Sequence, residues 1–440
     1  MTHALIAGGG IAGAVTAMSL HRAGISSTVY EAYPAGADDV GAFLVLFHNG
    51  MEALRTIEAH QPVLDASFPA QRVELLSHTG DSLGARPVSS ARASGDRVLL
   101  GPRTLRRATL YRALRDEAAR RGIAVEHGKR LVGAATEPGG RVHARFADGT
   151  RAEGDLLIGA DGIHSVTRAL IAPDAPAPRH TGQTTVCGYA SDVPPEAAPP
   201  PGTYRMIHGT RAFLGCTTAP SGEVWWFANT PGPELSRERL ATGTPEGRAR
   251  WREHVAGLFA GDASPAADIV RATAEGIVAS NAYDIARTPV WSRGSMVVLG
   301  DAAHAAAPNA AQGASMAIED GVVLAKCLRD LPSPREAFRA YEGLRRERVE
   351  AVVARSARLN DKVVPNRPDS GPGPRTPSPS FPATSRPSSP GSGSGSQEAQ
   401  AADRADAAAD GRNDGKADGG ADWLLHYRVD WDTPVTGASL

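Results

Sequence analysis

The apolar and polar positions of the first thirty residues change rhythm twice. His3 to Ala7 is a short apolar run, Ala14 to Ala23 carries small and apolar residues at helical spacing, and Ser27 to Tyr30 is β-rich and ends at Glu31. With Gly24 placed to close the helix at its C′ position, the pattern predicts strand, turn, helix, turn, strand. Two later apolar runs have the same form. Asp155 to Ala160 leads into Asp161-Gly162 and a helix start near Ser165, and Met296 to Leu299 leads into Gly300-Asp301. The middle of the chain alternates instead. "TTVCGYASDV", "TYRMIHGTRAFLGCTTAP" and "GEVWWFANT", within Thr184 to Thr230, are separated by Pro- and Gly-rich turns and predict an antiparallel sheet. Arg72 to Arg86 predicts a further hairpin. In Trp225-Trp226 the alternation predicts one ring facing in and one facing out.

Toward the C-terminus the period returns to that of a helix. Ala317, Gly321, Leu324, Leu328 and Leu331 share one face. Ser333-Pro334-Arg335-Glu336 then reads as an N-cap, a proline at N1 and a capping-box glutamate, opening a charged helix that reaches about Asn360. Residues 366–421 contain one large apolar residue, Phe381, and are expected to be a disordered linker. The stretch 422–440 is different: Trp423, Leu424, Tyr427, Val429 and Trp431 make it dense and apolar, and it is expected to dock back on the main body.

Composition changes this picture little. The 440 residues suffice for two or three cores, with 41% hydrophobic and 22% charged residues. A net charge of −1 gives no reason to expect a nucleic-acid or anionic-membrane partner. Cys187, Cys216 and Cys327 are too scattered for a disulfide framework, and no cluster has metal-ligand spacing, so no metal is expected. The N-terminus lacks the features of a signal peptide, and there is no apolar run of spanning length. A cytoplasmic protein is the expectation; protein partners are not legible.

Candidate chemistry begins at the first turn. Gly8, Gly10 and Gly13 stand in GxGxxG spacing between strand and helix. Such glycines allow a tight turn, backbone approach to a pyrophosphate and close helix–strand packing. The phosphates then meet free N–H groups at the helix start. Glu31 is placed to accept hydrogen bonds from a ribose, which suits FAD or NAD. In an open α/β sheet the edge where these turns gather is where ligands bind.

The three motifs in order, Gly8-x-Gly10-x-x-Gly13, Asp161-Gly162 in "GADGIHSVTR" and Gly300-Asp301 in "GDAAHAAAPNAAQG", resemble those of the class A flavoprotein monooxygenases, relatives of para-hydroxybenzoate and salicylate hydroxylases. The resemblance covers roughly residues 1–360. It implies an α/β fold: a Rossmann-type FAD-binding domain (1–72, 100–180 and 285–365) with an inserted, mainly antiparallel substrate domain (73–99 and 181–284). It implies FAD as cofactor, held by Gly8, Gly10, Ala12, Gly13, Glu31, Asp161 and Asp301, the last on a ribityl hydroxyl. "RRATLYRAL" adds Arg107, and "EHGKRLVG" adds Leu131 beside adenine. Gln312, Gly313 and Ala314 would bring a helix start to the flavin, and Pro308 would line its face. NAD(P)H would be a transient co-substrate, binding near Asp161.

The implied reaction uses O2 to hydroxylate or epoxidise an aromatic or unsaturated small molecule through a C4a-hydroperoxyflavin. The Ala/Arg/Pro/Gly-rich composition suggests a GC-rich genome, and a tailoring role in secondary metabolism is an expectation drawn from that. A flavin oxidase or dehydrogenase, or a non-catalytic FAD-bound sensor, are the alternatives. Tyr204, Arg205 and His208 are candidates to reach substrate; the alternative is that they decorate strand faces. No side chain is assigned the chemical step, and His304 reads as loop structure. Two positions depart from the family pattern: His48 replaces a usual proline, and Ala311 replaces a glycine in PxxGQG. If position 311 needs a positive φ, alanine there is strained.

Overall fold

The computed structural model describes residues 2–34, 42–88, 99–363 and 422–436. Its centre is a six-stranded sheet in the order Ser292–Arg293, Met296–Val298, Leu156–Gly159, His3–Ala7, Ser26–Tyr30, Ala124–Glu126. Neighbours are parallel except at the Ser292–Arg293 edge. Leu5, Ile6, Leu156, Ile158 and Val297 are fully buried, which explains the unbroken apolar runs: this sheet is covered on both faces. Helices Ile11–Arg22 and Gly313–Asp330 pack on each other. The antiparallel strands Leu131–Thr136, Val142–Phe146 and Arg151–Gly154 pack back on the central sheet, where a Cβ on Gly154 would lie 2.8 Å from Leu5 Cγ.

The first helix starts at Ile11, earlier than the apolar pattern at Ala14 suggests, because Gly10 already serves as its N-cap. The helix is therefore launched from inside the glycine turn. Gly24, at φ +75°, follows its C-cap as expected.

The second layer is a seven-stranded sheet in the order Val278–Asp284, Arg179–Ala190, Val224–Pro231, Phe213–Thr218, Thr203–His208, Arg72–Ser77, Ser82–Pro87. It is antiparallel except where Thr203–His208 meets Arg72–Ser77. One face packs Ile207, Leu214 and Trp226 against Trp251 and Val270 of helices Pro245–Leu258 and Ala266–Arg271, and against Phe259, the C-cap of the first. Trp225 lies on the opposite face, yet it is buried too, against Phe43 and Phe68. The alternation does put one ring on each face, and the outward face meets the first layer rather than solvent.

Ser333 caps the Pro334–Val363 helix: Glu336 N–H donates to its Oγ, and Oγ–H donates to Glu336 Oε2 at 2.6 Å. Leu424, Trp431 and Val435 are buried in the same core as the central sheet. The Trp431 ring lies under the guanidiniums of Arg22 and Arg329, its carbonyl accepts from Arg329 and Lys326, and Asp330 accepts from Val435 N–H at 2.9 Å. The expected linker, 366–421, and the Trp423 side chain lie outside the described residues. Among the described residues no helix is long and apolar enough to cross a membrane.

Candidate functional site

The glycine turn is crowded on one side and open on the other. A Cβ on Gly8 would lie 2.4 Å from Ala160 O, and one on Gly13 would lie 1.9 Å from Gly8 O. A Cβ on Gly10 would meet only Tyr111 Cε1, at 3.9 Å. No side chain caps the helix here, so the N–H groups of its first turn face the open side. Glu31 closes the turn: its Oε2 accepts from Gly9 N–H at 2.7 Å and its Oε1 from Tyr33 N–H at 2.8 Å. The next segment is tied to the same place, since Lys129 N–H donates to Glu31 O, and Leu131 follows, buried at the start of its strand.

The second motif abuts the first through Ala160. Both Asp161 oxygens are spent inside their own loop: Oδ1 accepts from Ser165 Oγ at 2.5 Å, and Oδ2 from Thr167 N–H at 2.9 Å and Thr167 Oγ at 3.0 Å. Asp161 therefore shapes the loop, and any role toward a ligand passes through backbone. Arg168, which sequence reasoning missed, locks this loop to the third motif: its Nη1 donates to Ala302 O at 3.0 Å and its Nη2 to Ile163 O at 2.7 Å. Desolvation lowers its pKa against the upward pull of Asp161.

The third motif touches the first directly. Gly300 has φ +57°, and a Cβ there would lie 3.1 Å from Ala12 Cβ and 3.3 Å from Ala317 Cβ. Asp301 follows as the first residue of a short helical turn, and among the described residues nothing hydrogen-bonds its carboxylate. A Cβ on Gly313 would lie 4.0 Å from Asp301 Oδ1, so the acid and the start of the Gly313–Asp330 helix are side by side. Arg107 faces the same acid. Desolvation pulls its pKa down, but Tyr111 and the Asp301 carboxylate together raise it. Its Nε donates to Tyr111 Oη at 2.8 Å, beside Gly10.

The loop between acid and helix is pinned from the second layer. Pro308 is exposed and opens a 3₁₀ turn through Ala310. Asn309 Oδ1 accepts from Asn229 Nδ2 at 2.8 Å and Gln183 Nε2 at 3.4 Å, while Asn309 Nδ2 donates to Asn360 Oδ1 at 3.2 Å. Ala311 is left-handed, at φ +51° and ψ +27°, and its side chain is exposed. Position 311 does demand a positive φ, and alanine bears the strain. Ala311→Gly is expected to raise the melting temperature by roughly 2 °C, since relief of about 1–2 kcal/mol is partly offset by a more flexible unfolded chain. Calorimetry checks it, and a lower melting temperature would show the strain to be absent.

Gln312 caps the helix with backbone alone. Its side chain is buried, its Oε1 accepts from Asn49 Nδ2 at 3.1 Å, and its Nε2 has no partner among the described residues. The N–H groups of Gly313 and Ala314 are likewise unspent within the helix.

Facing this loop, the second layer presents a half-buried wall of Met206, Phe213 and Phe227, with Phe43 from the first layer against Phe227 at 6.0 Å. Gly215 leaves the room: a Cβ there would lie 2.4 Å from Phe227 Cε1 and 2.9 Å from Met206 Sδ. Tyr204 lies on this face but is buried, its hydroxyl 2.8 Å from Thr104 Oγ1, and burial pushes its pKa up. Arg205 does not join the site. Strand alternation turns it to the far face, where Nη1 donates to Ala197 O at 2.9 Å. His208 shares the face of Tyr204 but sits exposed at its end, its ring 5.1 Å from Phe213. His48 is buried, bonded through Nδ1 to Leu100 O and stacked on His426 at 5.1 Å.

The donor set fits FAD. Two helix starts present unspent N–H groups, a carboxylate with no hydrogen-bond partner among the described residues lies between them, and a buried amide donor waits at Gln312. The sequence pattern of the FAD binding domain family matches residues 1–356. Aurachin C monooxygenase/isomerase of Stigmatella aurantiaca is 32% identical over 364 residues, covering 81% of this chain and 88% of that protein. A 3-amino-4-hydroxybenzoate 2-monooxygenase of Streptomyces platensis is 34% identical over 353 residues, covering 80% and 86%. Among solved structures, Klebsiella pneumoniae HpxO complexed with FAD and uric acid superposes with a TM-score of 0.71 at 26% identity, covering 82% of this chain and 88% of that one.

Proposed function

The chain belongs to the FAD binding domain family and is an FAD-dependent monooxygenase, and from that premise we propose that it uses NAD(P)H and O2 to hydroxylate or epoxidise an aromatic or otherwise unsaturated small molecule. The observation that carries the substrate class is the half-buried wall of Phe43, Met206, Phe213 and Phe227 facing the Pro308 loop. Flat apolar surfaces that a protein leaves half covered suit an aromatic ring. The relatives' names, which include a hydroxybenzoate and an aurachin, support the same class, and with the composition they favour a tailoring role in secondary metabolism. The three cysteines are free and buried, which fits a cytoplasmic setting.

Each grip residue has a task its geometry allows. The turn from Gly8 to Gly13, with Ala12, offers backbone N–H groups to the pyrophosphate, and Glu31 takes ribose hydroxyls on its remaining lone pairs. Leu131 offers backbone to adenine. Asp161 shapes the loop beside which a nicotinamide visits. Asp301 accepts from the ribityl chain, with Arg107 beside it. Gly313 and Ala314 place the positive end of a helix where negative charge on the ring is stabilised. Pro308 lines the ring face, and Asn309 holds that loop against the substrate layer. Bound FAD, reduced by NAD(P)H, supplies the oxygen activation. We assign residues 1–72, 100–180 and 285–365 to the cofactor and 73–99 and 181–284 to the substrate.

The test is turnover under 18O2 with candidate phenols, indoles and polyketides. The expected result is substrate-stimulated NAD(P)H oxidation with one 18O atom in the product. Peroxide without incorporation would make the protein an oxidase, and no turnover with any of these substrates would count against the substrate class.

A further inference from the structure

Beneath the cofactor grip lies a buried ion network that none of these roles uses. Glu319 and Asp320, adjacent on the Gly313–Asp330 helix, and Arg345 on the Pro334–Val363 helix are each 0% exposed. Arg345 Nε donates to Asp320 Oδ1 at 2.7 Å and its Nη1 to Glu319 Oε2. Arg348 Nε and Nη2 reach both Glu319 oxygens at 2.8 Å. Two carboxylates thus face two guanidiniums, and His304 and Arg345 hold the Asp320 carboxyl far below its usual range against the desolvation that would raise it. Such networks add little net stability over apolar packing; their better-attested use is to fix one arrangement.

Three branches leave the network. Asp320 Oδ2 accepts from Gly300 N–H at 2.9 Å, holding the residue before Asp301. Arg348 Nη2 donates to Leu424 O at 2.6 Å, and the Tyr427 ring lies 4.5 Å from the Arg348 guanidinium. Glu319 Oε1 accepts from Asn49 Nδ2 at 2.6 Å, and the same Nδ2 donates to Gln312 Oε1 at 3.1 Å. The last branch has a direction. A carboxylate only accepts, so Asn49 must turn its NH2 group to Glu319. That group can meet only an acceptor at Gln312, so Gln312 must turn its Oε1 inward and leave its Nε2 donor unspent at the helix start. The orphaned Asn49 Oδ1 and Gln312 Nε2 record that orientation.

We propose that Glu319 is a positioning residue that couples the seating of residues 424–427, through Arg348 and Asn49, to the amide orientation of Gln312 and so to FAD affinity. The proposal rests on the FAD reading of the site. It predicts that docking of the C-terminal segment and cofactor binding share one connection.

A double-mutant cycle with Asn49→Leu and Arg348→Lys in the full chain tests it, reading FAD dissociation constants by flavin fluorescence and melting of the apoprotein. Asn49→Leu removes the connection to Gln312 without a charge change; Arg348→Lys keeps the charge but lacks the planar fork whose separate nitrogens reach Glu319 and Leu424 at once. Each single is expected to weaken FAD about tenfold. The double should lie within about threefold of the weaker single, because both cut one path. Additive losses of about a hundredfold would overturn the coupling, as would Asn49→Leu with unchanged FAD affinity and only a lower apoprotein melting temperature. If Arg348→Lys fails to fold, Tyr427→Leu, which loosens the segment and leaves both arginines of Glu319 in the chain, takes its place in the cycle. Wild-type protein that binds no FAD would overturn both this and the site assignment.

Discussion

Asp301→Ala is expected to leave a folded protein that holds FAD about tenfold to a hundredfold more weakly. The carboxylate has no hydrogen-bond partner among the described residues, so the apoprotein gives up little beyond a favourable acid in the first turn of a short helix. That is worth about 0.3–1 kcal/mol, and the melting temperature should barely move. The cofactor gives up more. A hydrogen bond to a charged acceptor contributes about 1.5–3 kcal/mol, so FAD affinity should fall by about tenfold to a hundredfold. Arg107 also loses the neighbour that helps hold its pKa up. Asp301→Asn, which keeps one acceptor oxygen, should fall between. Flavin content of the purified variant and its FAD dissociation constant decide the matter. Stoichiometric flavin with wild-type affinity would remove Asp301 from the site, and a large drop in apoprotein stability would make it a structural acid.

The candidate cofactor grip is legible because its parts are local. A glycine turn, an acid after a strand and a helix start each leave a mark within a few residues, and the sheet brings those marks together by its parallel order. Two candidate residues take other parts in the fold than the sequence suggests. Asp161 looks like a ligand for the cofactor in sequence, but its oxygens are claimed by Ser165 and Thr167, residues that follow it closely and could have been weighed as partners. Arg205 was grouped with Tyr204 and His208 although strand alternation alone turns it to the far face. The long-range parts left weaker marks. Arg168 joins loops far apart in the chain, and Asn309 meets Asn229, Gln183 and Asn360 from three other elements. No spacing rule pairs such residues. A signal did exist for Glu319-Asp320: two acids inside the apolar run "MAIEDGVVLA" of a helix that is otherwise buried must find cations, and Arg345 and Arg348 on the next helix supply them. For Ala311, the sequence posed the question of backbone angle, and only the fold could answer it.

Gly13 and Gly10 of the first turn are predicted to separate by what happens when each is replaced. Gly13→Ala forces a Cβ to within 1.9 Å of Gly8 O, backbone against backbone, so the helix must leave the strand. Overpacking of this kind costs about 1–3 kcal/mol or more, and both the apoprotein and its FAD binding should suffer. Gly10 is different. Its φ of −70° and ψ of −168° suit any residue, and a Cβ there meets nothing closer than Tyr111 Cε1 at 3.9 Å. The free protein therefore has no structural need for glycine at position 10. In the proposed grip the requirement would come from outside the chain, from a pyrophosphate approaching that backbone. Gly10→Val should accordingly melt within about 2 °C of the wild-type apoprotein. Its FAD affinity should fall by about tenfold to a hundredfold, since the branched side chain occupies the approach. Apoprotein calorimetry beside FAD titration distinguishes the cases. A Gly10→Val protein that binds FAD normally would move the pyrophosphate away from the first helix, and one that unfolds would show that the open side of the turn is closed in the free protein.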